Sequence, residues 1–327
     1  MILVTGGAGF IGSNLVAALA ERGERVVVAD DLGVGEKWRN IAKHDVVDVI
    51  RPGACLDWLG RNAPALRAVF HLGAITDTTA RDADAVIANN FHFSLALWDR
   101  CAAAGHLFIY ASSAATYGDG AAGFADGRDP AELARLRPLN LYGWSKHLFD
   151  RRIARIAAEG GPVPPRWAGL KFFNVYGPNE YHKGAMQSLI AKNFDRAAKG
   201  EPTALFRSTH PDFPDGGQRR DFVYVDDCVQ VMLWLLDADA PSDIYNVGSG
   251  RARTFAELAA ALYKVVGRLP RIHYVEMPDA LRATYQNRTE ADLARLRKAG
   301  FAADFIGLEE GVAQFVELYL ARADRYR

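Results

Sequence analysis

The feature that most constrains this chain is a glycine-rich turn between its first apolar run and its first helical pattern. Gly6, Gly9 and Gly12 follow the run Ile2–Thr5 directly. Glycines at this spacing allow the backbone to approach a pyrophosphate closely at a helix N-terminus. Asp30 closes the second apolar run about 20 residues further on, where an acid can bind an adenosine ribose. The sequence therefore predicts a dinucleotide-binding βαβ unit, and no Gly-Lys-Ser/Thr follows the turn to indicate a P-loop.

Short apolar runs alternate with longer segments of helical periodicity over the first half of the chain. Such alternation is typical of repeated βα units and of a mostly parallel sheet with helices on both faces. We therefore expect an α/β fold, with a Rossmann-type doubly wound parallel sheet and a smaller α/β substrate-binding domain. Five strands are predicted, at Ile2–Thr5, 25–29, Ala68–His71, 107–111 and 170–173, and five helices, at 11–22, 83–104, 255–266, 290–299 and 309–321.

The length of 327 residues suggests about two domains. We assign residues 1–174 to the dinucleotide-binding domain, with 218–247 returning to it, and residues 175–217 and 248–327 to the substrate-binding domain. The segment 118–138 is rich in glycine, alanine and aspartate, which predicts a long loop with one short helix.

Charge and cysteine content argue against several classes of protein. Lys and Arg number 39, as do Asp and Glu, so the net charge is zero and nothing favours a nucleic-acid or membrane partner. No apolar run approaches the roughly 18 residues of a membrane span, and no signal peptide is expected. Cys55, Cys101 and Cys228 lie far apart, and the histidines show no metal-ligand spacing, so neither a disulfide framework nor a metal is predicted. A reducing, cytoplasmic location is expected.

A second group of polar residues indicates acid and base chemistry. Tyr142 and Lys146 stand four apart in a helical segment, which places both on one face. The ammonium group of Lys146 and a positive nicotinamide both favour the phenolate, so the pKa of Tyr142 is expected to fall from its usual value of about 10. Ser113 follows a predicted strand, where open α/β sheets place ligands, and its hydroxyl can donate to a substrate oxygen.

The order of these motifs resembles that of the extended short-chain dehydrogenase/reductase superfamily, whose members act on nucleotide sugars. Within it the chain is similar to the ADP-L-glycero-D-manno-heptose 6-epimerases of lipopolysaccharide core synthesis, and the resemblance spans nearly the whole chain. The His-Lys-Gly element at 182–184 is its most discriminating part. The other matching segments are GGAGFIG at 6–12, Asn89-Asn90, 111–118, 139–146, 173–178, 220–225 and Tyr285-Gln286.

The resemblance implies a redox-neutral epimerase acting on an ADP-heptose. A tightly held oxidised cofactor would take a hydride from C6″ of the heptose, leaving a ketone, and return it to the opposite face. Tyr142 would exchange the hydroxyl proton, Ser113 would hydrogen-bond the oxygen, and Lys146 would bind the nicotinamide ribose. Lys183 would be the second acid or base on the far side of the ketone, a role that a buried lysine can fill.

The resemblance also implies the cofactor contacts, which include the glycine turn. NADP is expected, since Lys37 could accept its 2′-phosphate. NAD is the alternative, since Asp30 should repel that phosphate. The implied cofactor-binding residues are Gly6, Gly9, Phe10, Ile11, Gly12, Asp30, Asp31, Lys37, Leu72, Gly73, Ala74, Ile75, Thr76, Asn89, Tyr142, Lys146, Val175 and Lys183.

For the substrate, the resemblance implies a set of contacts around the sugar nucleotide. Arg220 suits a diphosphate, since a guanidinium can bind it through two parallel hydrogen bonds. A cyclic homo-oligomer, a pentamer, is implied as well. The implied substrate-binding residues are Ser113, Asn174, Ala185, Lys192, Phe206, Arg207, Ser208, Thr209, Arg220 and Tyr285.

Two other interpretations stay open. Another nucleotide-sugar epimerase, such as a UDP-hexose 4-epimerase, would carry the same superfamily motifs. A non-catalytic dinucleotide-binding sensor would share the fold, although it would not need Ser113, Tyr142 and Lys146 together. A dehydratase is disfavoured, because the sequence around Thr116 supplies no acid pair to eliminate water.

Overall fold

The centre of the molecule is a seven-stranded parallel sheet. The computed structural model describes residues 1–282 and 285–327. The strands are β1 (Ile2–Thr5), β2 (Val26–Ala29), β3 (Asp48–Ile50), β4 (Ala68–His71), β5 (Leu107–Ser113), β6 (Trp167–Phe172), β7 (Asn174–Tyr176), β8 (Thr203–Phe206), β9 (Arg219–Tyr224), β10 (Asp243–Val247), β11 (Ala252–Thr254) and β12 (Ile272–Val275). The central sheet has the order β3-β2-β1-β4-β5-β6-β10, which is the doubly wound Rossmann order with one added strand.

Helices cover both faces of this sheet and bury its apolar side chains. The helices of the described residues are α1 (Phe10–Glu21), α2 (Cys55–Asn62), α3 (Ala83–Ile87), α4 (Ser94–Ala104), α5 (Pro130–Leu133), α6 (Leu141–Ala158), α7 (Leu189–Ala198), α8 (Val225–Asp237), α9 (Phe255–Val265), α10 (Asp279–Arg282), α11 (Ala294–Lys298) and α12 (Leu308–Phe315). Helices α1 and α8 pack on one face, and α2, α4 and α6 pack on the other. The predicted Rossmann-type α/β fold is confirmed.

Three of the predicted helices differ from those in the structure. The one predicted at 309–321 is α-helical only over Leu308–Phe315 and continues as a π-helical segment over Val316–Leu320. The pattern at 83–104 forms α3 and α4, with a π-helical segment, Ala88–Phe93, between them. The helix predicted at 290–299 begins only with α11, because the amide of Ala291 donates instead to the buried carboxylate of Asp221. The local sequence pattern shows neither the π-helical segment Ala88–Phe93 nor the bond to Asp221, since both depend on distant parts of the chain.

The rest of the chain forms two small sheets beside the main one. Strands β7, β9 and β11 make a three-stranded sheet, and β8 pairs with β12. Within the segment 218–247, β10 lies in the main sheet and α8 packs against α1, whereas β9 does not return to the main sheet. The loop at 118–138 contains only the one-turn helix α5. The division into cofactor-binding and substrate-binding domains stays a prediction.

The described residues can be compared with the sequence predictions on cysteines, membrane spans and metal sites. Cys55, Cys101 and Cys228 are buried thiols, and burial raises the pKa of Cys55 and of Cys101 to about 12. Over residues 1–282 and 285–327, none of the helices combines the length and the apolar surface needed to cross a bilayer. In the same part of the chain, no three His, Cys, Asp or Glu side chains are grouped to hold a metal ion.

Candidate active site

The glycine turn after β1 is shaped by contacts that leave no room for side chains. Gly6 adopts a φ of +66°, and a Cβ atom there would lie 2.5 Å from the amide nitrogen of Gly73. A Cβ atom at Gly12 would lie 2.1 Å from the carbonyl oxygen of Gly6. The helix α1 that follows has no side-chain cap and no acidic residue in its first turn. Its first amide groups and the positive end of its dipole therefore fit a pyrophosphate.

Asp30 lies just beyond β2, where its carboxylate joins the glycine turn to Lys37. Oδ2 accepts from the amide of Ala8 at 2.9 Å, and Oδ1 lies 2.6 Å from Nζ of Lys37. Lys37 also donates to the carbonyl of Asp31. The side chains of the pair are only 9% and 23% exposed. The charge predicted to meet a 2′-phosphate therefore already offsets the carboxylate predicted to repel it.

A buried asparagine joins the loop after β4 to helix α6. Asn90, in the π-helical segment before α4, accepts from the amide of Ile75 at 2.8 Å and donates to its carbonyl at 2.9 Å. Its side chain also donates to Ser145 Oγ at 3.0 Å. Asn89, which is predicted to contact the cofactor, donates to Asn90 Oδ1. The loop at 72–76 is thereby tied to the start of α6.

Ser113 and Tyr142 meet where β5 ends and α6 begins. Their hydroxyl groups lie close enough to interact, and Ser113 Oγ accepts from the amide of Ala115 at 3.1 Å. Burial raises the pKa of Tyr142, while the Ser113 hydroxyl acts in the opposite direction. In the protein without a bound cofactor, the pKa of Tyr142 is therefore raised, whereas the sequence predicts that it is lowered. The reason is that desolvation disfavours the phenolate more than the Ser113 hydroxyl favours it.

Lys146 lies one turn after Tyr142 on α6 and is 4% exposed. Burial lowers the pKa of Lys146 to about 8, while the carboxylate of Asp150, one further turn along, acts to raise it. Burial, and to a smaller extent the charge of Lys146, lowers the pKa of His71 to about 3. Lys146 is therefore an ammonium group that loses its proton just above neutral pH.

Lys183 lies on a short 3₁₀ segment that contacts the start of α1. Its Nζ is 4.9 Å from the centre of the Phe10 ring. Burial lowers the pKa of Lys183, the carboxylate of Glu180 acts to raise it, and the charge of Lys192 lowers it. Lys192 donates to the carbonyl of Ala185 at 3.3 Å. The structure thus brings Lys183, Lys192 and Ala185 together, and it places Lys183 at the helix that follows the glycine turn.

The segment before Lys183 is held by Asn179, a fully buried residue with a φ of +70°. The amide nitrogen of its side chain donates to Ser13 Oγ on α1 at 3.0 Å. Its Oδ1 accepts from the backbone amide of Arg327, also at 3.0 Å. Helix α1 and residue 327 therefore both fix the chain that leads into Lys183.

Arg220 lies on β9 between two aromatic rings. Its guanidinium carbon is 4.9 Å from the centre of the Tyr285 ring and 5.7 Å from that of Phe255. Phe206 packs edge-on against Tyr285. Burial lowers the pKa of Arg220, and its guanidinium donates to the carbonyl of Arg219. A buried cation placed between two rings is suited to receive an anionic group.

Of the predicted substrate residues that follow β8, Arg207 and Ser208 contact acidic side chains. Arg207 lies 2.8 Å from a carboxylate oxygen of Asp215 and 3.3 Å from one of Glu276. The amide of Ser208 donates to the same Asp215 carboxylate. The structure therefore brings Phe206 and Tyr285 to Arg220, whereas Arg207 has acidic partners. Of the other predicted residues, Thr76, Asn174 and Thr209 are exposed, and Ile11, Leu72, Ala74 and Val175 are half-buried.

Sequence reasoning assigned no role to four buried polar residues that link these elements, Asn90, Asp150, Lys171 and Asn179. Lys171 carries the clearest signal, because it stands inside an apolar strand that is buried on both faces. A charge in such a place needs a partner. The partner is Asp150, at 2.8 Å.

Known proteins are similar to this chain in both sequence and fold. Residues 2–248 match the NAD dependent epimerase/dehydratase family. The chain is 48% identical to the ADP-L-glycero-D-manno-heptose-6-epimerase of Nitratidesulfovibrio vulgaris (strain DP4), with 100% of each covered. The crystal structure of the Helicobacter pylori ADP-L-glycero-D-manno-heptose-6-epimerase is similar with a TM-score of 0.78 at 28% identity, covering 96% of this chain and 94% of that one. The UDP-glucose 4-epimerase of Thermotoga maritima, solved with UDP-glucose, also gives a TM-score of 0.78, at 27% identity and 97% coverage of each chain.

Proposed function

Since the chain belongs to the NAD dependent epimerase/dehydratase family and, within it, to the ADP-L-glycero-D-manno-heptose-6-epimerases, we propose that it inverts C6″ of ADP-D-glycero-D-manno-heptose. The product is the L-glycero epimer, for lipopolysaccharide core synthesis. The observation that carries the proposal is 48% identity over the whole chain. The contact between the hydroxyl groups of Ser113 and Tyr142 supports it independently.

The proposal includes NADP held at the glycine turn, where it would supply the removal and return of a hydride at C6″, so that no net oxidation results. The uncapped start of α1 and the crowded glycine turn suit a pyrophosphate. Lys37 favours NADP over NAD, because its ammonium group beside Asp30 can bind a 2′-phosphate. The loop 72–76, Asn89 and Val175 complete the proposed cofactor surface.

Three residues at the junction of β5 and α6 are proposed to act in the oxidation step. Tyr142 takes the proton of the C6″ hydroxyl as that carbon becomes a ketone. Ser113 donates to the same oxygen and stabilises the negative charge that develops there. Lys146 binds the nicotinamide ribose, and its charge favours the phenolate form of Tyr142, which burial otherwise disfavours.

Inversion requires the ketone to present its other face before it is reduced. A proton donor on the far side of the sugar is then useful, and Lys183 is proposed for this step. Burial lowers its pKa, which suits a group that must gain and lose a proton near neutral pH. Asn179 supports this role, because it holds the chain leading into Lys183 against α1.

Arg220 is proposed to bind the diphosphate of the ADP-heptose. The rings of Tyr285 and Phe255 hold the guanidinium of Arg220 between them. A bound anion would supply the opposite charge that this buried cation needs. The residues proposed to line the rest of the sugar-nucleotide site are Asn174, Ala185, Lys192, Phe206, Arg207, Ser208, Thr209 and Tyr285.

A UDP-hexose 4-epimerase is the second candidate. The Thermotoga maritima 4-epimerase matches the fold as well as the Helicobacter pylori heptose epimerase does, since both TM-scores are 0.78. The fold therefore does not choose the sugar. The sequence favours the heptose, because identity is 48% to a heptose epimerase and 27% to this 4-epimerase.

The test is to incubate the purified protein separately with ADP-D-glycero-D-manno-heptose and with UDP-glucose and to identify the products by NMR. We expect inversion at C6″ of the heptose and no conversion of UDP-glucose. Epimerisation of UDP-glucose at C4, with the heptose unchanged, would contradict the proposal. Failure with both sugars, with nucleotide still bound, would instead favour a non-catalytic dinucleotide-binding protein.

A further inference from the structure

A fully buried ion pair, Asp150 of α6 with Lys171 of β6, lies beside the proposed active site. Nζ of Lys171 is 2.8 Å from Oδ2 of Asp150, and neither side chain is exposed. Removing two charges from water is costly, and a neutral pair of similar volume is often as stable or more stable. Stability is therefore a weak reason for this pair, and its hydrogen bonds indicate another.

The pair holds the end of the strand that carries Ser113. Asp150 accepts from Ser112 Oγ at 2.7 Å. Lys171 donates to Thr116 Oγ1 at 2.6 Å, and that hydroxyl donates in turn to the carbonyl of Ser113 at 2.8 Å. The chain on both sides of the Ser113 side chain is thus tied to the two charges. A third link within β5 is the Tyr110 hydroxyl, which donates to Asp150 Oδ1 at 3.0 Å.

One member of the pair, Asp150, lies on the helix that carries Tyr142 and Lys146. Asp150 stands four residues after Lys146 and eight after Tyr142, so the three side chains lie along one face of α6. Burial lowers the pKa of Lys146 to about 8, and the carboxylate of Asp150 opposes a larger fall. His71 of β4 also faces Lys146, but burial lowers its pKa to about 3, so it is neutral at pH 7. Tyr142 is neutral as well, since burial raises its pKa.

We propose that Asp150 and Lys171 are positioning residues for the reaction, which fix Ser113 on β5 relative to Tyr142 and Lys146 on α6. This inference rests on the proposed function and deepens it. In that reaction Ser113 and Tyr142 must reach the same substrate oxygen, so a misplacement of about 1 Å between strand and helix reduces turnover more than it reduces binding.

The test compares the wild-type enzyme with the double variant Asp150→Asn, Lys171→Met, which removes both charges together. We expect the double variant to fold, because loss of the whole pair leaves no unpaired charge. Its kcat should fall about 100-fold, while the KM for the sugar nucleotide changes less than about threefold. The basic limb of the pH profile of kcat should also move to lower pH, because Lys146 loses the carboxylate that favours its protonated form.

One single variant separates the effect of the position of Ser113 from the effect of the Asp150 charge, and a second single variant is the control. Thr116→Val cuts the link between Lys171 and the Ser113 carbonyl and leaves the ion pair in place. It should lower kcat about tenfold without moving the pH profile. Asp227→Asn is the matched control, since Asp227 is a buried carboxylate on another helix, α8, and it should leave kcat and its pH profile unchanged.

A double variant with wild-type kcat and pH profile would overturn the inference. If the double variant does not fold, Thr116→Val decides, and wild-type kcat in that variant overturns the inference. A wild-type enzyme that does not convert the heptose overturns the proposed function instead. The NMR titration of ¹⁵N-labelled lysine Nζ then still tests the pair, because the pKa of Lys146 should be lower in Asp150→Asn, Lys171→Met than in the wild type, and equal values would refute it.

Discussion

Tyr142 is the residue on which the proposed chemistry depends most. Burial raises its pKa, so the phenol keeps its proton at neutral pH in the protein alone. Lys146 lies on the same face of α6, and its positive charge is proposed to favour the phenolate, which the carboxylate of Asp150 disfavours. The motif therefore predicts the residue that is proposed to exchange the proton, whereas the pKa of that residue depends on burial, which the motif does not show.

Replacing Tyr142 with phenylalanine removes the hydroxyl and keeps the ring. Turnover of the heptose should fall about 10²- to 10⁴-fold, as expected for the loss of a general base, while bound nucleotide stays unchanged. Tyr263→Phe is the matched control, because it removes a buried hydroxyl on α9 that donates to the carbonyl of Arg271. Steady-state kinetics measure both variants, and a kcat close to the wild type in Tyr142→Phe would remove this residue from the mechanism.

Asp227 of α8 makes stability depend on pH. It is 3% exposed, and burial raises its pKa from 3.8 to about 7. A carboxyl group with a higher pKa in the folded than in the unfolded state stabilises the fold fully below about pH 4, and this contribution is lost as the pH rises through about 7. Asp227→Asn should therefore gain stability relative to the wild type between pH 4 and pH 7, by at most about 4 kcal/mol.

Urea unfolding of both proteins at several pH values measures this difference. The amide of Ile306 donates to Asp227, and the asparagine side chain keeps an oxygen that can accept from it. A stability difference that stays constant from pH 4 to pH 7 would show that Asp227 does not titrate as described.

Among the elements, the segment leading into Lys183 gives the sharpest prediction. Asn179 holds it with a φ of +70° and with side-chain bonds to Ser13 and Arg327. Asn179→Ala should lower the free energy of unfolding by about 2 to 4 kcal/mol, because it loses these bonds and strains the backbone. Asn179→Gly loses the same bonds without the strain, so it should be about 1 kcal/mol more stable than the alanine variant.

Thermal or urea unfolding of the two Asn179 variants tests this difference. Both variants should also lower turnover, since Lys183 is proposed to act from this segment. Equal stability of the alanine and glycine variants would mean that the backbone conformation at Asn179 carries no strain.

The elements that could be predicted from the sequence are those with a strong local signal. Strands β1 and β4 each begin with three consecutive apolar residues, because helices cover both faces of the sheet. Strand β3, by contrast, is three residues long and mostly exposed at the sheet edge, and β12 is half exposed. Each has only three or four residues, with Asp48 in β3 and His273 in β12 among the apolar ones, so neither stands out in the sequence as a buried strand.

The π-helical segment before α4 shows a different limit. The apolar spacing continues from α3 into α4, so the sequence predicts one helix at 83–104. Asn90 is buried in that segment and bonds to Ile75 and Ser145, which come from a loop and from α6. The interruption lies where contacts from distant parts of the chain meet, and local periodicity does not contain that information.

For the whole molecule, a net charge of zero does not show where the cations lie. Motifs and the family resemblance predict Lys37, Lys146, Lys183 and Arg220 as cations that bind ligands or act in the reaction. Their surroundings could not be predicted, because they depend on long-range packing. Asp30 offsets Lys37 at 2.6 Å, and Lys146 and Arg220 are almost fully buried.

The ion pair of Lys37 with Asp30 leads to a prediction about which nucleotide the protein binds. Nucleotide released on denaturation should be NADP, identified by chromatography against NAD. Lys37→Ala should shift the bound nucleotide toward NAD, because Asp30 then meets a 2′-phosphate without a neutralising cation. Arg51→Ala is the matched control, since Arg51 is 87% exposed and 3.4 Å from Asp31, and it should leave the ratio nearly unchanged. Release of NAD alone from the wild type would contradict the choice of NADP.

The central claim is that C6″ is inverted by removal and return of the same hydride. Conversion of ADP-D-glycero-D-manno-heptose in D₂O, followed by NMR of the product, tests it most directly. The proposed chemistry predicts the L-glycero epimer with hydrogen, not deuterium, at C6″, because the hydride never exchanges with solvent. Deuterium at C6″ of the product, or recovery of the heptose with its configuration unchanged, would contradict the claim.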